Sequence, residues 1–519
     1  MTTKPTEVTA TDSSSAGEPA GKPTDEERAN EESGSEACRP GFFRSRQIGD
    51  DWLVTNQVGQ FVFLTPEEMD SFVRGQVKQD TDLYGKLDQA NLFRDSVRID
   101  EMAERLSDRR SFLDHGPSLH VVVTTLRCNV SCVYCQASRA PMAATDTDMT
   151  PETADRVVDT ILETTSPVVT IEFQGGEPMV NFPIVQRIVD RALEKNREAG
   201  KALEFNMVTN LTLMDEEKLE WLLDRKVQIC TSIDGPPTLH DRQRSASDDA
   251  GFSSTARWIR RINEAYTEAG LDPSLYRVEA LLTTTREALS MPKEIVDTYV
   301  DLGCRAMFLR PLSPFGFANK TGKQLGYPIE DYLTFYRSVV EHMLDLNEQG
   351  VEILERYAAI FATKILRQVD PNFLDIRSPC GAGIGQLAYH HDGSVFPCDE
   401  GRMVYAMNDD FFLLGNVHEN NYNDAVGHET IRAMLSASTL EGAPDCTACA
   451  YAPYCGVCPV HNYCTQGSLH GRARDSTFCA VYKGIQDFLF EKIKSGDPKV
   501  IETLERWSFA RPRDHFVHD

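Results

Sequence analysis

Fourteen cysteines run through this 519-residue chain, and eleven of them fall in two groups. Three stand at Cys128, Cys132 and Cys135 in "RCNVSCVYCQAS", a C-x3-C-x2-C run with no histidine beside it. Thiolates suit soft metals, and iron–sulfur clusters are usually held by four cysteines. A [4Fe–4S] cluster held by these three would leave one iron open to an outside ligand. The alternative is a zinc site completed by a distant residue. Tyr134, directly before the third cysteine, suits a cluster that stands beside a planar ligand. Eight more thiols follow at Cys380, Cys398, Cys446, Cys449, Cys455, Cys458, Cys464 and Cys479. That is the number two full clusters require, although their two C-x2-C pairs taken alone suit a zinc ribbon as well. The leftover Cys38, Cys230 and Cys304 read as small buried hydrophobes. His390, His391, His461 and His470 read as structural.

Two further stretches carry usable chemistry. "QGGEP" (Gln174, Gly175, Gly176, Glu177, Pro178) joins glycines, which allow close backbone approach, to a carboxylate that can accept from an ammonium group. "DGPPTLHDRQR" carries Arg244 near His240, suited to a ligand or peptide carboxylate, or else to an ion pair with Asp241.

These residues need a frame. From Ser118 onward, apolar β-branched runs such as "LHVVVTTL", "VVTIEFQ", "LEFNMVT", "VQICTSI", "YRVEALLTTT" and "RAMFLRPL" predict strands buried on both faces. Amphipathic helices alternate with them, one opened by Thr150 and Pro151 and another closed by Gly200. Six such repeats predict an α/β fold, a partial, six-stranded parallel barrel, with an open doubly wound sheet as the alternative. Functional residues of barrels gather at the C-terminal ends of the strands, where the three cysteines fall. Upstream, "DWLVTN" and "GQFVFL" predict two strands followed by helices, the first capped at Thr65, in a small winged-helix-like module.

The expected organisation is a disordered acidic tail over 1–38, the N-terminal module over 39–115 and the barrel over 116–325. A helical connection over 326–375, a cysteine-rich domain over 376–485 and a closing helix and tail over 486–519 complete it. No run of about 18 apolar residues is present, and no apolar h-region opens the sequence, so a cytoplasmic protein without membrane contact is expected. A net charge of −26 argues against duplex nucleic acid as a partner. Clustered cysteines in such a protein favour metal or redox chemistry over disulfides.

On the trio, its preceding Tyr134 and the GGEP motif, the chain resembles the radical SAM superfamily. The resemblance implies that the open iron takes the amino and carboxylate groups of S-adenosylmethionine, with Tyr134 against the adenine. It also implies that GGEP holds the methionyl amine, that Ser232 and Asp234 contact the ribose, and that Arg244 reaches the carboxylate or a peptide. The C-terminal cysteines resemble the SPASM extension of peptide-modifying members, an α+β domain with up to two auxiliary [4Fe–4S] clusters. Carried over, Cys446, Cys449, Cys455 and Cys479 hold one, and Cys380, Cys398 and Cys458 the other. Cys464 is the candidate fourth ligand, in a spacing that departs from the usual extension between Cys455 and Cys458. Asp399, directly after Cys398, matches an aspartate proposed as the base in sulfatase-maturing members.

Longer blocks, among them "TIEFQGGEPMVNFP" and "SPCGAGIGQLAYHHDGSVFPCDEGRM", resemble the His-Xaa-Ser system radical SAM maturase of the HxsB type. The implied substrate is a ribosomally made precursor peptide with His-Xaa-Ser repeats and a leader, accompanied by a second radical SAM maturase and an external electron donor. The N-terminal module resembles the leader-recognition element of such maturases. The alternatives are a sulfatase-maturing Cys/Ser oxidase and a non-catalytic iron–sulfur protein that binds peptide or relays electrons.

Overall fold

The computed structural model describes residues 38–246, 251–512 and 514–518. Apart from Cys38, the tail expected over 1–38 lies outside them. Three antiparallel strands come first: β1 (Arg44–Ile48), β2 (Asp51–Thr55) and β3 (Phe61–Leu64), in that order across the sheet. The first was not expected, because "RSRQI" is polar and lacks a buried-strand pattern. Its two arginines are used against the C-terminal half: Arg46 pairs with Asp487 at 2.5 Å, and Arg44 donates to the Thr447 carbonyl at 2.7 Å. Helix Pro66–Val73 follows behind a Thr65–Glu68 capping box.

The main sheet is built on six parallel strands, with β5 (Val130–Cys132) and β9 (Arg244–Ala246) forming a separate small ribbon. The six are β4 (Leu119–Val123), β6 (Val168–Gln174), β7 (Ala202–Thr209), β8 (Val227–Ser232), β10 (Glu279–Thr283) and β11 (Ala306–Arg310). They lie side by side in chain order and form an open, partial barrel rather than a closed one. Their apolar runs are buried as expected: Ile171, Phe173, Leu203, Phe205, Met207, Ile229 and Leu309 are all excluded from solvent. Crossover helices such as Pro151–Leu162 and Phe182–Ala199 cover the outside. Thr150 caps the first, and Gly200, at φ 62°, ends the second in the left-handed region.

Both edges of this sheet are extended. The two-residue β12 (Leu354–Glu355) pairs with β11, and β13 (Gln386–Tyr389) pairs in parallel with β4. Strands β14 (Ser394–Phe396) and β15 (Gly415–Asn416) continue antiparallel from β13, and β16 (Val517–His518) lies against β7. The hairpin β13–β14, bracketed by Cys380 and Cys398, is therefore sheet-continuous with the barrel. Among the described residues no helix is long and apolar enough to cross a membrane.

Candidate active site

The loop after β4 is stitched from several directions. Its strand β5 pairs with β9, setting Cys132 opposite Arg244. The Cys128 N–H donates to Ala140, and the Cys135 carbonyl accepts from Phe317 at 2.8 Å. The glycines of QGGEP serve the same loop. The Gly176 and Glu177 amides donate to the carbonyls of Thr125 and Arg127 at 2.9 and 2.8 Å. A Cβ on Gly175 would stand 2.5 Å from the Thr125 carbonyl, and one on Gly176 would collide with those of Leu126 and Arg127. The close approach that requires glycine is thus to the cysteine loop itself.

Around the three sulfurs, Cys128 Sγ accepts from the Val130 amide at 3.4 Å and meets Asn210 Nδ2 at 3.8 Å; Cys132 Sγ meets Arg244 Nη1 at 3.7 Å. Burial, then Glu177 and the other two cysteines, push Cys128 up to about 12. Burial also raises Cys132, to about 11, against the opposing pull of Arg244. Without metal, the Cys128 and Cys132 thiols stay protonated. Iron reverses that preference, so cluster assembly releases protons.

Glu177 is 1 % exposed and accepts from Thr209 Oγ1, the Asn210 amide and the Met179 amide at 2.7, 2.8 and 3.1 Å. A carboxylate has about four acceptor positions, so roughly one remains for an ammonium group. Gln174 ends β6 with its amide on Glu172, and Pro178 opens the buried turn after the motif. Leu211, next to Asn210, holds φ 63°, a conformation that costs a branched residue energy and marks this turn as constrained.

Tyr134, Asp234 and Arg244 form one buried unit. The Tyr134 hydroxyl donates to Asp234 at 2.5–2.7 Å, Arg244 Nε pairs with Asp234 Oδ2 at 3.1 Å, and the guanidinium lies 5.3 Å from the Tyr134 ring centre. The alternative pairing of Arg244 with Asp241 does not occur; Asp241 caps the Phe252 amide instead. His240, pushed down to about 3 by burial, is neutral and accepts from the Asp234 amide through Nδ1. Ser232 closes β8 beside this unit. Asn210 and Thr209 were missed by sequence reading. Only their position at the end of β7 marks them, since neither belongs to a motif.

The other eight cysteines separate by their neighbours. Cys446, Cys449, Cys455 and Cys479 act on one another: burial, then Cys449 and Cys479, push Cys446 up to about 12, and all three others raise Cys455. Cys380, Cys398 and Cys458 form a second buried set, with Glu400 acting on all three. Two of these sulfurs cap helices, Cys398 Sγ accepting from Gly401 and Cys458 Sγ from His461, both at 3.4 Å. Cys464 stands apart. Burial and Asp409 push it up to about 11, and no other cysteine acts on it. Among the described residues no three Cys, His, Asp or Glu side chains converge on a point as one metal ion would need. The thiol-only sets of three and four are the donor chemistry of iron–sulfur clusters.

A cavity of about 220 Å³ connects the two regions, lined by Gln136, next to Cys135, and by Cys458. Its polar wall is Arg310, Asp375 and Glu400, and its apolar wall includes Phe315, Tyr357 and Tyr482. Burial pushes Glu400 up to about 7, with Asp375 and Asp399 adding to it. Asp399 does not line the cavity. Its Oδ1 is held by the fully buried Arg402 at 2.6 Å, one helical turn on.

An open parallel half-barrel whose first strand runs into a three-thiol loop defines the class, and comparison with known families agrees. Residues 122–305 match the radical SAM superfamily. An uncharacterised protein of Methanocaldococcus jannaschii is 30 % identical over 115 residues, 22 % of this chain and only 38 % of that relative's length. A cysteine-type anaerobic sulfatase-maturating enzyme of Clostridium perfringens is 23 % identical over 61 % of this chain and 83 % of its own. Among solved structures, anSMEcpe with bound AdoMet and the Cp18Cys peptide superposes with a TM-score of 0.60 at 19 % identity, covering 75 % of this chain and all of that one. Streptococcus suis SuiB bound to precursor peptide SuiA gives 0.50 at 15 % identity, over 84 % and 98 %. Both share the fold.

Proposed function

We propose that this protein is a radical SAM peptide maturase that reductively cleaves S-adenosylmethionine and oxidatively modifies a ribosomally synthesised peptide with His-Xaa-Ser repeats. The observation that carries this reading is the cavity from Gln136 to Cys458, which joins the three-thiol loop to a second set of thiols. When bound, the clusters would supply an electron for reductive cleavage of S-adenosylmethionine and an acceptor for an electron from the substrate.

The chain's own residues do the rest. Cys128, Cys132 and Cys135 hold the first cluster. Tyr134, Ser232, Asp234, Arg244 and the Gln174–Pro178 turn shape the nucleotide's site, the buried ion pair keeping the loop in register. Cys446, Cys449, Cys455 and Cys479 hold one auxiliary cluster; Cys380, Cys398 and Cys458 hold the other. Aromatic walls keep water from the reacting carbon. The carboxylates at the start of helix Asp399–Tyr405 serve the proton that leaves the substrate, Asp399 held by Arg402 and Glu400 facing the cavity. In the N-terminal module, β1 and β3 are each paired on one side only, which supports leader binding by strand addition.

SuiB, solved with its precursor peptide, supports a peptide substrate. The Clostridium relative favours a second reading, oxidation of a single Cys or Ser in a sulfatase. Mass spectrometry of a co-expressed precursor, against a Cys128→Ala control, separates them. A mass change on the repeat peptide that needs Cys128 supports the maturase, and a carbonyl formed only on a sulfatase peptide replaces it. Absence of 5′-deoxyadenosine after anaerobic reduction, with either peptide, removes both.

A further inference from the structure

A second cavity, of about 40 Å³, lies where the N-terminal module meets the Cys446–Cys455 segment. Five cationic side chains line it, Arg44, Arg109, Arg110, Lys364 and Arg377, against two carboxylates, Asp370 and Glu441. Arg110 is paired with Glu441, and Lys364 lies 3.6 Å from Asp370. The hydrogen-bond partners of the other three arginines are neutral. Arg109 donates to the Val58 carbonyl, Arg377 to Asn372, and Arg44 to the Thr447 carbonyl and the Gln57 amide oxygen. Arg44 and Arg377 are 5 % and 1 % exposed, and three of their nitrogens, Arg44 Nη1 and Arg377 Nε and Nη2, are buried without a hydrogen-bond partner. In a chain of net charge −26, buried cations with idle donors require an anion close by.

The four-thiol set is the anion at hand. Cys455 lines this cavity, Thr447 sits two residues before Cys449, and burial works against the charged form of Arg44 while Glu441 and then Cys449 favour it. Four thiolates around a [4Fe–4S] core leave a net negative charge that grows by one on reduction, so a fixed cation favours the reduced form. We propose that this arginine cavity is the counter-charge of the auxiliary cluster held by Cys446, Cys449, Cys455 and Cys479, and that Arg44 is the positioning residue through which the N-terminal module raises that cluster's reduction potential. The assignment rests on the reading that those four cysteines hold a cluster. It gives the module a role in redox tuning beside peptide recognition. Strand β1 carries Arg44, and its neighbour turn is locked to the same segment, Tyr454 donating to the Gly59 carbonyl at 2.7 Å.

The experiment is a redox titration of the reconstituted protein, followed by electron paramagnetic resonance. It uses a Cys128→Ala background, so that only auxiliary signals remain, and compares Arg44 with Arg44→Met and Arg44→Lys. Removing a unit charge about 12 Å from a cluster whose charge changes by one on reduction is worth about a factor of ten at an effective dielectric of about 20. Arg44→Met is therefore expected to lower the reduced-to-oxidised ratio of one auxiliary signal about tenfold at a fixed potential, about 59 mV for one electron. Arg44→Lys keeps the charge without the planar fork, and its shift should have the same sign and smaller size. A Cys455→Ala control identifies the affected signal. If the parent shows no Cys455-dependent signal, the cluster reading fails. If that signal is present at full iron content and both variants leave its potential unchanged, the proposed role of Arg44 is overturned. Should Arg44→Met load poorly, the Lys variant alone decides between shift and no shift.

Discussion

The Asp234–Arg244 pair offers the sharpest test of how the cysteine loop is held. Asp234 is fully buried, and the Arg244 side chain is 9 % exposed. Two side chains converge on the carboxylate, the Arg244 guanidinium and the Tyr134 hydroxyl, while neutral His240 accepts from the Asp234 backbone amide. Asp234→Ala leaves a buried guanidinium with only the Cys132 sulfur and the Tyr134 ring beside it, and breaking a buried pair from one side costs about 3–5 kcal/mol. Arg244→Met should cost less, about 2 kcal/mol, because burial already pushes the Asp234 carboxyl up and Tyr134 still donates to it. The double variant removes both charges, so its cost should fall short of the sum by about 2–3 kcal/mol. Chemical denaturation of the metal-free protein, followed by circular dichroism, reads that coupling without interference from cluster loss. Since Arg244 faces Cys132 across β5 and β9, each single variant should also reconstitute with less iron, up to about a third of the total for three equal clusters. Additive costs within about 0.5 kcal/mol, with normal iron loading, would refute the view that this ion pair anchors the loop.

Cys458→Ala should lose up to about a third of the iron whereas Cys464→Ala should keep it, since Asp409 and no other thiol acts on Cys464; iron and sulfide assays decide. Gly176→Ala drives a Cβ into the carbonyls of Leu126 and Arg127, so it should abolish S-adenosylmethionine cleavage and lower first-cluster loading, read by 5′-deoxyadenosine release and iron content. Burial lifts Glu355 from the usual 4.5 to about 7, so the folded chain keeps a proton that the unfolded chain releases, and this group's contribution to stability is fully present below pH 4.5 and falls as pH rises toward 7. Glu355→Gln should therefore gain about 2–3 kcal/mol on the parent between pH 5 and pH 8 in thermal unfolding. Glu400→Gln should cut peptide modification at least tenfold while leaving S-adenosylmethionine cleavage in place, whereas Asp399→Asn, which strands Arg402, should first cost iron at the second auxiliary site; product and iron analysis on the same preparations separate the two.

How much of this was readable from residues alone follows from how far apart the cooperating groups lie in the chain. The six barrel strands were legible because burial on both faces demands apolar runs such as "VVTIEFQ", whatever they pack against. The trio was legible because three ligands of one site fall within eight residues. Strand β1 was not, since "RSRQI" is justified by partners more than 400 residues away, Thr447 and Asp487. The arginine cavity was hidden for the same reason, its cations arriving from β1, the segment before β4 and the stretch after β12.

Asp399 and Glu400 show the limit most plainly. Both are acidic, adjacent and next to Cys398, and a reading by resemblance selects the first. Successive residues on a helix point about 100° apart, so these two neighbours take different surroundings. Asp399 shares its face with Arg402, three residues on, and is drawn into that buried pair; Glu400 is turned toward Arg310 and the open volume. Which carboxylate faces the cavity is thus set by where Arg402 is buried, a property of packing against the rest of the C-terminal segment that no local pattern encodes. The same packing puts Glu400 beside the Cys380, Cys398 and Cys458 thiols, so under the proposed function the proton acceptor and the electron acceptor are built on one helix turn. A change there should alter the reaction's outcome before it alters the fold.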